Sequence, residues 1–364
     1  MKGRGATDNP ANRFERLHVV SEAEWGAQVP AEDRAVDRDR EGSGERSSPE
    51  TQFFRDASRS ILSHNDSPDV GFDVSINPYR GCEHGCIYCY ARPTHEYLGF
   101  SAGLDFETKI MVKRDAARLL RAKLMSPRWR PRTIAMSGVT DPYQPVERRL
   151  GITRSCLEVL AEFRNPVAIV TKNHLVTRDV DLLAELAAHD AAAVAVSVTS
   201  LRNELQRVME PRTATPARRL DAIRTLADAG VPVRVMVAPV VPGLTDQEIP
   251  SILDAAAAAG ASAASYIMLR LPHGVKGLFE DWLEAHFPDR KDRVLNRVRD
   301  VRDGALNDPR FGSRMRGGGV YADQVRQLFE TGRRRAGLDR PAAELSTTAF
   351  RRPRRDGQLD LFGR

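Results

Sequence analysis

Cysteine is scarce in this chain: its 364 residues include four cysteines, and three of these fall within eight positions. So few cysteines, so unevenly spaced, do not form the framework of a disulfide-stapled secreted domain, and a reducing compartment is expected. Long apolar runs are also lacking. None approaches the ~20 residues of a membrane span, and the opening MKGRGATDNP lacks the apolar core of a secretory signal. These absences predict a cytoplasmic protein that does not contact the membrane.

Recurring apolar residues are also lacking at the start of the chain. Residues 1–70 are instead rich in Arg, Asp, Glu, Ser and Gly. A segment of this composition buries little apolar surface, so 1–70 is predicted to be an irregular N-terminal segment. The rest of the chain is predicted to form a barrel at 71–290, a helical extension at 291–340 and a flexible tail at 341–364.

Short apolar runs alternate with helix-period stretches from about residue 72. The runs are apolar on both faces, as strands of a buried parallel sheet are; they are GFDVSIN, RTIAMSG, PVAIVTKN, AAVAVSVTS, VPVRVMVAPVV and SYIMLRLP. Helices are predicted between them at 115–125, 152–163, 180–189, 216–229 and 246–259. A closed eight-unit barrel needs ~250 residues, so six such units predict an α/β fold, a partial (β/α)6 parallel barrel. Its functional residues are expected at the carboxyl ends of the strands.

Three cysteines follow the first of these strands, in NPYRGCEHGCIYCYARPTH: Cys82, Cys86 and Cys89. Thiolates this close in sequence can converge on a soft metal centre, either zinc or iron–sulfur. A closed zinc site needs four ligands, and only His84 or His95 could complete it. An iron–sulfur cube normally takes four cysteines. Three would leave one iron with an open coordination position, as a catalytic cluster requires.

CxxxCxxC after the first strand of a six-unit β/α domain resembles the signature of radical SAM enzymes, and so does the aromatic Tyr88 before the last cysteine. NPYRGCEHGCIYCYARPTH and GVTDPYQPVE look like the branch related to spore photoproduct lyase. The resemblance implies a [4Fe–4S] cluster on Cys82, Cys86 and Cys89, with S-adenosylmethionine on the open iron. An electron from a donor such as flavodoxin or ferredoxin would yield a 5′-deoxyadenosyl radical that abstracts hydrogen from the substrate.

The resemblance also assigns cofactor-binding roles near the carboxyl ends of the strands. The cofactor-binding residues that it implies are Tyr88, Ser137, Gly138, Thr140, Asp141, Lys172, Ser197 and Thr199. Lys172 would bind the methionine carboxylate of the cofactor, and Ser197 and Thr199 would reach its ribose. Each residue also has an ordinary structural alternative: a packed core aromatic, a capped turn, or the polar side of a strand.

Other residues of the cysteine loop are expected to support the cluster. Gly81 and Gly85 would let the loop wrap closely around it, and the alternative for both is an ordinary turn. Tyr90 is expected to pack over the cluster or the adenine. Arg80 and His84 are candidate donors to the cluster sulfides or the cofactor, or else surface residues.

One departure from the spore photoproduct lyase branch concerns the return of hydrogen to the product. That branch uses a cysteine near the end of the second strand, whereas this chain has Met136 and Gly138 there. Cys156 lies in a predicted helix and is expected to be a small core residue. The sequence therefore implies no repair of the spore lesion itself and leaves the catalytic residue unassigned.

The excess of positive charge near the end of the chain predicts either a surface that binds a polyanion or a solvated tail. Residues 310–355 contain twelve arginines and four acids, and arginine forks suit phosphate oxygens.

Three functional hypotheses follow from the motifs and the charge together. The first is a radical SAM enzyme acting on DNA, such as a lesion-processing lyase or repair enzyme. The second is a radical SAM enzyme that modifies tRNA, ribosomal RNA or a protein, and the third is a non-enzymatic zinc protein that binds nucleic acid.

The last residues resemble a peptide that binds the bacterial sliding clamp, and this likeness favours DNA. The motif is Gln358, Leu359, Asp360, Leu361 and Phe362. Its physical basis is a glutamine that orients the peptide and apolar anchors that fill a pocket. The preceding RRPRRDG is too polar to pack, so the motif would be freely presented.

We expect the tail peptide to bind the clamp with micromolar affinity, because ordering a free peptide costs ~2–5 kcal/mol. The double change Leu361→Ala, Phe362→Ala removes both apolar anchors and should abolish binding, whereas Asp360→Ala should change it least. Fluorescence anisotropy of the labelled peptide against purified clamp measures the effect. Absence of binding at ~100 μM clamp, where a micromolar complex would be saturated, would contradict the assignment.

Overall fold

A computed structural model describes residues 3–10, 12–14 and 49–353. The sliding-clamp motif at 358–362 therefore lies outside the described residues. The strands within them are β1 (Gln52–Arg55), β2 (Leu62–His64), β3 (Val74–Ile76), β4 (Tyr79–Arg80), β5 (Lys109–Val112), β6 (Ile134–Met136), β7 (Val167–Thr171), β8 (Ala192–Ser197), β9 (Val233–Val240) and β10 (Ala263–Met268).

Helices follow most of the strands. They are α1 (Leu104–Thr108), α2 (Ala116–Met125), α3 (Glu147–Leu150), α4 (Ile152–Phe163), α5 (Val180–Ala187), α6 (Asn203–Met209), α7 (Pro216–Asp228), α8 (Ile249–Ala258), α9 (Val275–His286), α10 (Lys291–Asp300), α11 (Ser313–Arg316) and α12 (Gly319–Arg335). Short 3-10 helices add Arg92–Leu98, His174–Asp179, Asp246–Glu248 and Pro288–Arg290. In the described part of the chain, no helix is long and apolar enough to cross a membrane.

The main sheet is a row of parallel strands in chain order. Its order is β10-β9-β8-β7-β6-β3-β2, and every neighbouring pair is parallel except β2 with β3. The six parallel strands are those predicted from the apolar runs, so the predicted partial (β/α)6 barrel is confirmed. The runs form strands because Val, Ile and Ala pack well on both faces of a covered sheet. In β8, for example, five of the six residues are buried.

A second, smaller sheet carries the chain into the cysteines. Its order is β1-β5-β4, with β1 parallel and β4 antiparallel to β5. Strands β1 and β2 both fall within 1–70, which was predicted to be irregular, so that expectation is corrected at these two places. Each is a short edge strand that pairs through its backbone, and such pairing leaves little trace in the apolar pattern.

The C-terminal part of the described chain packs on the barrel. Helices α10, α11 and α12 fall where a helical extension was predicted, and the Phe329 ring of α12 packs at a tilt against Tyr266 of β10, with 4.7 Å between ring centroids. The expectation of a flexible tail from residue 341 is wrong for 346–352. There the Ser346 amide donates to Asp190 and the Phe350 ring packs against Phe163.

We expect Phe329→Ala to lower the free energy of unfolding by about 3–5 kcal/mol, because the ring is 1% exposed and its removal leaves a cavity over Tyr266. Leu328→Ala is the matched control: the neighbouring side chain on the same helix is 38% exposed and should cost less than ~1 kcal/mol. Urea unfolding followed by circular dichroism measures both. Equal losses in the two variants would show that α12 does not seal the barrel at Phe329.

Candidate active site at the cysteine loop

The cysteine loop leaves β4 and lies beyond the carboxyl end of β3, at the edge where the ends of the parallel strands meet. Cys82 and Cys86 are buried and Cys89 is half-buried. The loop is fastened to its surroundings by backbone bonds: the Cys82 amide donates to Phe106 and the Ile87 amide to Met209. Cys156 lies apart from them, buried in α4 within the main apolar core, which fits a structural role.

Two glycines let this loop pass close to other backbone. Gly81 has φ +80°, and a Cβ there would lie 2.9 Å from the carbonyl oxygen of Phe106. Gly85 has φ +66°, and a Cβ there would lie 2.7 Å from a carboxylate oxygen of Glu107. Side chains at these positions would be strained and would also collide with Phe106 and Glu107. Contacts within the protein therefore already require glycine at both positions.

Residues 3–10 and 12–14, which we call the strap, are docked beside this loop. Gly5 passes so near that a Cβ on it would overlap the carbonyl oxygen of Gly85. The amides of Gly5 and Ala6 donate to the Glu107 carboxylate at 3.0 and 2.9 Å. Ala6 is fully buried and packs in the same apolar cluster as Cys86. The strap therefore covers one side of the cysteine loop.

Glu107 and Arg92 join the strap to the cysteines. Both side chains are fully buried, and the guanidinium of Arg92 donates to the Glu107 carboxylate at 2.5 Å. Arg92 Nε also donates to the Cys86 carbonyl at 3.0 Å, and its Nη1 donates to the carbonyls of Ala102 and Gly103. The sequence analysis missed both residues. No local pattern marks them, because each depends on a partner fifteen positions away.

The TDPYQPVE segment holds the cysteine loop from the other side. Gln144 is fully buried; its Oε1 accepts from the Glu83 amide at 3.0 Å and its Nε2 donates to Thr140 Oγ1 at 2.9 Å. Thr140 Oγ1 in turn donates to the Gly81 carbonyl at 2.6 Å. The Glu83 carboxylate accepts from the Val146 amide at 2.7 Å. Thr140, predicted to bind the cofactor, is therefore a brace for the loop.

Asp141 ties the loop to the end of β7. Its carboxylate accepts from Thr171 Oγ1 and from the Lys172 amide, each at 2.8 Å, and lies 3.4 Å from His84 Nδ1. Burial would raise the pKa of Asp141, but His84 and the amides of Lys172 and Tyr143 lower it below its ordinary value. His84 is buried against Asp141, whereas the Arg80 side chain pairs with Asp56 at 2.7 Å. Arg80 is thus engaged in a structural ion pair.

Three of the residues predicted to bind the cofactor lie around the buried carboxylate of Glu210. It accepts hydrogen bonds from the Tyr88 hydroxyl and from Thr199 Oγ1, and Lys172 Nζ lies 3.8 Å from it. Arg219 completes the network by donating to the same carboxylate. Burial would raise the pKa of Glu210, yet Arg219 and Lys172 lower it to about 2. The carboxylate is therefore charged and orients Lys172 beside the Tyr88 ring.

The remaining predicted residues lie around this network. Gly138 accepts a hydrogen bond from the Tyr90 hydroxyl at 2.7 Å, and Ser137 Oγ donates to the Thr140 carbonyl at 3.1 Å. The Ser197 carbonyl accepts from Arg219 at 3.1 Å. The structure thus brings all the predicted residues to one edge of the sheet, while their roles as cofactor ligands stay predictions.

The arrangement of Cys82, Cys86 and Cys89 suits an iron–sulfur cluster better than a single metal ion. Within residues 3–10, 12–14 and 49–353, no three His, Cys, Asp or Glu side chains converge closely enough to hold one metal ion. A cube of four irons instead takes each thiolate on a different iron, so it needs cysteines spread around it. Burial raises the pKa of all three thiols, and the positive charge of bound iron would favour their thiolates.

Known proteins are similar to this chain over the part that carries the cysteine loop. The model of the radical SAM superfamily matches residues 76–256. Uncharacterized proteins of Mycobacterium tuberculosis and Mycobacterium bovis are each 40% identical over 248 residues, which cover 67% of this chain and 72% of the relative. An uncharacterized protein of Methanocaldococcus jannaschii is 30% identical over 178 residues, 49% of this chain and 64% of that protein.

Solved structures of spore photoproduct lyase share the fold. The lyase complexed with dinucleoside spore photoproduct gives a TM-score of 0.51 at 18% identity, covering 78% of each chain. A lyase variant with bound AdoMet and the same dinucleoside gives 0.51 at 17% identity, covering 80% of this chain and 84% of that one. At this identity the likeness concerns the fold.

We expect Gln144→Met to loosen the cysteine loop, because it leaves the Glu83 amide without a buried partner and removes the Nε2 hydrogen bonds to Thr140 Oγ1 and the Gly81 carbonyl. Each such loss costs about 1–3 kcal/mol. The measurements are iron per chain after anaerobic reconstitution and the rate at which the cluster absorbance bleaches in air. Thr153→Val is the control, since it removes one buried hydrogen bond, to the Pro142 carbonyl, outside the loop. Identical iron content and bleaching in both variants would rule out the brace.

Proposed function

Because the chain belongs to the radical SAM superfamily, its cofactors are a [4Fe–4S] cluster and S-adenosylmethionine, and we propose that it uses them on a nucleic acid, with DNA as the preferred substrate. When bound, these cofactors supply a 5′-deoxyadenosyl radical by reductive cleavage. In this proposal Cys82, Cys86 and Cys89 hold the cluster. Lys172 and Asp141 hold S-adenosylmethionine by its charged groups.

The chain's own residues would keep the site dry and rigid. The strap, with Ala6 fully buried, and the Arg92–Glu107 pair close one side of the loop, and Gln144 closes the other. Glu210 would hold the Lys172 ammonium toward Tyr88 and away from solvent. Closing the site matters because a carbon radical abstracts hydrogen from the weaker C–H and S–H bonds of any molecule that reaches it.

The observation that carries the nucleic-acid proposal is a set of exposed aromatic side chains, each accompanied by an arginine or by another such ring. Among the described residues, six large apolar side chains are well exposed and four are aromatic: Phe14 (43%), Tyr90 (49%), Tyr97 (64%) and Phe311 (58%). Phe14 and Tyr97 stack at 4.7 Å between ring centroids. The guanidinium carbons of Arg13, Arg270 and Arg314 lie 5.2, 5.1 and 4.4 Å from the ring centroids of Phe14, Tyr90 and Phe311. We call these seven residues the aromatic rim.

The aromatic rim borders the candidate active site. Tyr90 directly follows the last cysteine, and Arg13 contacts His273 in the loop after β10. Arg270 lies in the same loop and contacts Met315, next to Arg314. Nucleobases stack on aromatic rings at about 1–3 kcal/mol each, and Arg270, which forms no ion pair in the described part of the chain, suits a phosphate beside them. A single-stranded or unstacked nucleic acid fits this surface by its chemistry.

The arginines near the C-terminus contribute less to this proposal than their number indicates. Of the ten in 310–352, most contact protein groups: Arg326 and Arg335, for example, pair with Asp323 and Asp254, and Arg352 donates to three carbonyls. The contacts of Arg335 and Arg352 fasten this segment to the barrel, whereas Arg326 pairs within α12. The cytoplasmic location, the electron donor of flavodoxin or ferredoxin type and the clamp-binding tail remain further parts of the proposal.

We expect 5′-deoxyadenosine to form when anaerobically reconstituted protein receives S-adenosylmethionine and a reductant, and to form faster when ultraviolet-damaged DNA is added. Cys86→Ala should abolish product formation, since two thiolates cannot retain the cluster. Cys156→Ala should leave product formation intact, because its thiol lies in the core of α4. Chromatography of the reaction products measures the rate.

Parallel reactions with tRNA and with no substrate separate the alternatives. Stimulation by tRNA alone would replace DNA with RNA as the substrate. Absence of product under all conditions, from protein that contains zinc and no iron, would overturn the enzymatic assignment in favour of the zinc protein.

A further inference from the structure

Arg270 stands at the mouth of the barrel, two residues beyond the end of β10. Its guanidinium carbon lies 5.1 Å from the centroid of the Tyr90 ring. Tyr90 follows Cys89, and its hydroxyl donates to the Gly138 carbonyl beyond β6. Arg270 and Tyr90 therefore bridge the cysteine loop and the ends of β6 and β10. The charge of Arg270 thus lies beside the cysteine loop.

This arginine is partly buried, yet within the described part of the chain it forms no ion pair. Its Nε is buried without a hydrogen-bond partner there, and its Nη1 donates to the sulfur of Met315, at 3.7 Å. The neighbouring carboxylate of Asp69 is engaged by Arg314 Nε at 2.5 Å and by the Gly312 amide at 2.6 Å. Buried charges in proteins are normally paired. The guanidinium of Arg270 thus has unused donors and unbalanced charge.

A second arginine adds to the positive potential at the same strand end. Arg302 is 2% exposed and donates to the carbonyls of Met268 and Leu269, immediately before Arg270. Burial and the adjacent Arg314 lower the pKa of Arg270, as expected where cations outnumber their partners. The protein therefore maintains a cationic position beside the cysteine loop that an incoming anion would neutralise.

We propose that Arg270 binds a phosphodiester group of the substrate, while a neighbouring base stacks on the exposed side of Tyr90. This inference rests on the proposed nucleic-acid function and names the residue that fixes the strand next to the cysteines. A guanidinium fork matches two oxygens of a phosphate. The methionine carboxylate of the cofactor offers the same chemistry. Two features favour the phosphodiester: Arg270 lies over a ring that is 49% exposed, and its loop also carries His273, which contacts Arg13 of the aromatic rim.

The test compares Arg270→Gln, Arg270→Lys and the matched control Arg224→Gln in reconstituted, full-length protein. Arg224 is an exposed arginine of α7, so its replacement makes the same change in charge away from the mouth. The probes are fluorescent oligo-dT and oligo-rU about ten nucleotides long. Anisotropy gives their affinities at about 50 and 200 mM salt. Calorimetry gives the affinity for S-adenosylmethionine, and iron content checks the cluster.

Arg270→Gln should weaken oligonucleotide binding by about ten- to one-hundred-fold. It should also reduce the salt slope by about 0.7, the value for one lost phosphate contact on a single strand. Arg270→Lys should retain most of the salt slope but recover only part of the affinity, because it keeps the charge and loses the fork. Arg224→Gln should match the unmodified protein in both measurements.

Three results would overturn the inference. Loss of S-adenosylmethionine affinity with unchanged oligonucleotide binding would assign Arg270 to the cofactor carboxylate. Equal oligonucleotide affinity in all variants would remove Arg270 from the substrate surface while leaving the proposed nucleic-acid function intact. If the unmodified protein binds neither oligonucleotide, the proposed function fails and this inference fails with it.

Discussion

The buried ion pair between Arg92 and Glu107 is the interaction on which the cysteine loop depends. Neither side chain reaches solvent, so each charge needs the other, and loss of one partner would typically cost about 3–5 kcal/mol. The pair is also a junction. Arg92 holds the Cys86 carbonyl, and Glu107 holds the amides of Gly5 and Ala6. One salt bridge thereby fastens the chain's first described residues to the loop that carries the cysteines.

A second buried charge network supports the loop from the barrel side. Glu210 and Arg219 pair there, and Tyr88 and Thr199 complete the carboxylate's hydrogen bonds. The two networks contact the loop at neighbouring residues, Cys86 and Tyr88. Buried polar groups that are fully satisfied are rigid and specify a single arrangement. The loop is therefore held by polar contacts with defined directions, whereas the strands below it are held by apolar packing.

This division explains how much could be predicted from the sequence. The six parallel strands were predicted within a few residues, because apolar composition on both faces is a local signal. Cys82, Cys86 and Cys89 could be singled out as candidate cluster ligands for the same reason, since their spacing is a local signal. Arg92, Glu107 and Glu210 were missed because a buried charge looks like a surface charge until its distant partner is known. The docked strap was missed because its amides bind Glu107, and hydropathy does not register backbone hydrogen bonds.

The wide spread of these supports has a consequence for how the protein acquires its metal. The three cysteines are synthesised within eight residues of one another, but their supports extend from Gly5 to Arg219. A nascent chain that has just exposed the motif at the ribosome lacks the contacts with Gln144, Glu210 and Arg219. The loop is complete only after the fourth parallel strand and helix α7 have been made. With the proposed ligands Cys82, Cys86 and Cys89, delivery of iron and sulfide would follow the synthesis of helix α7, and a chain truncated before it would display the cysteines without these supports.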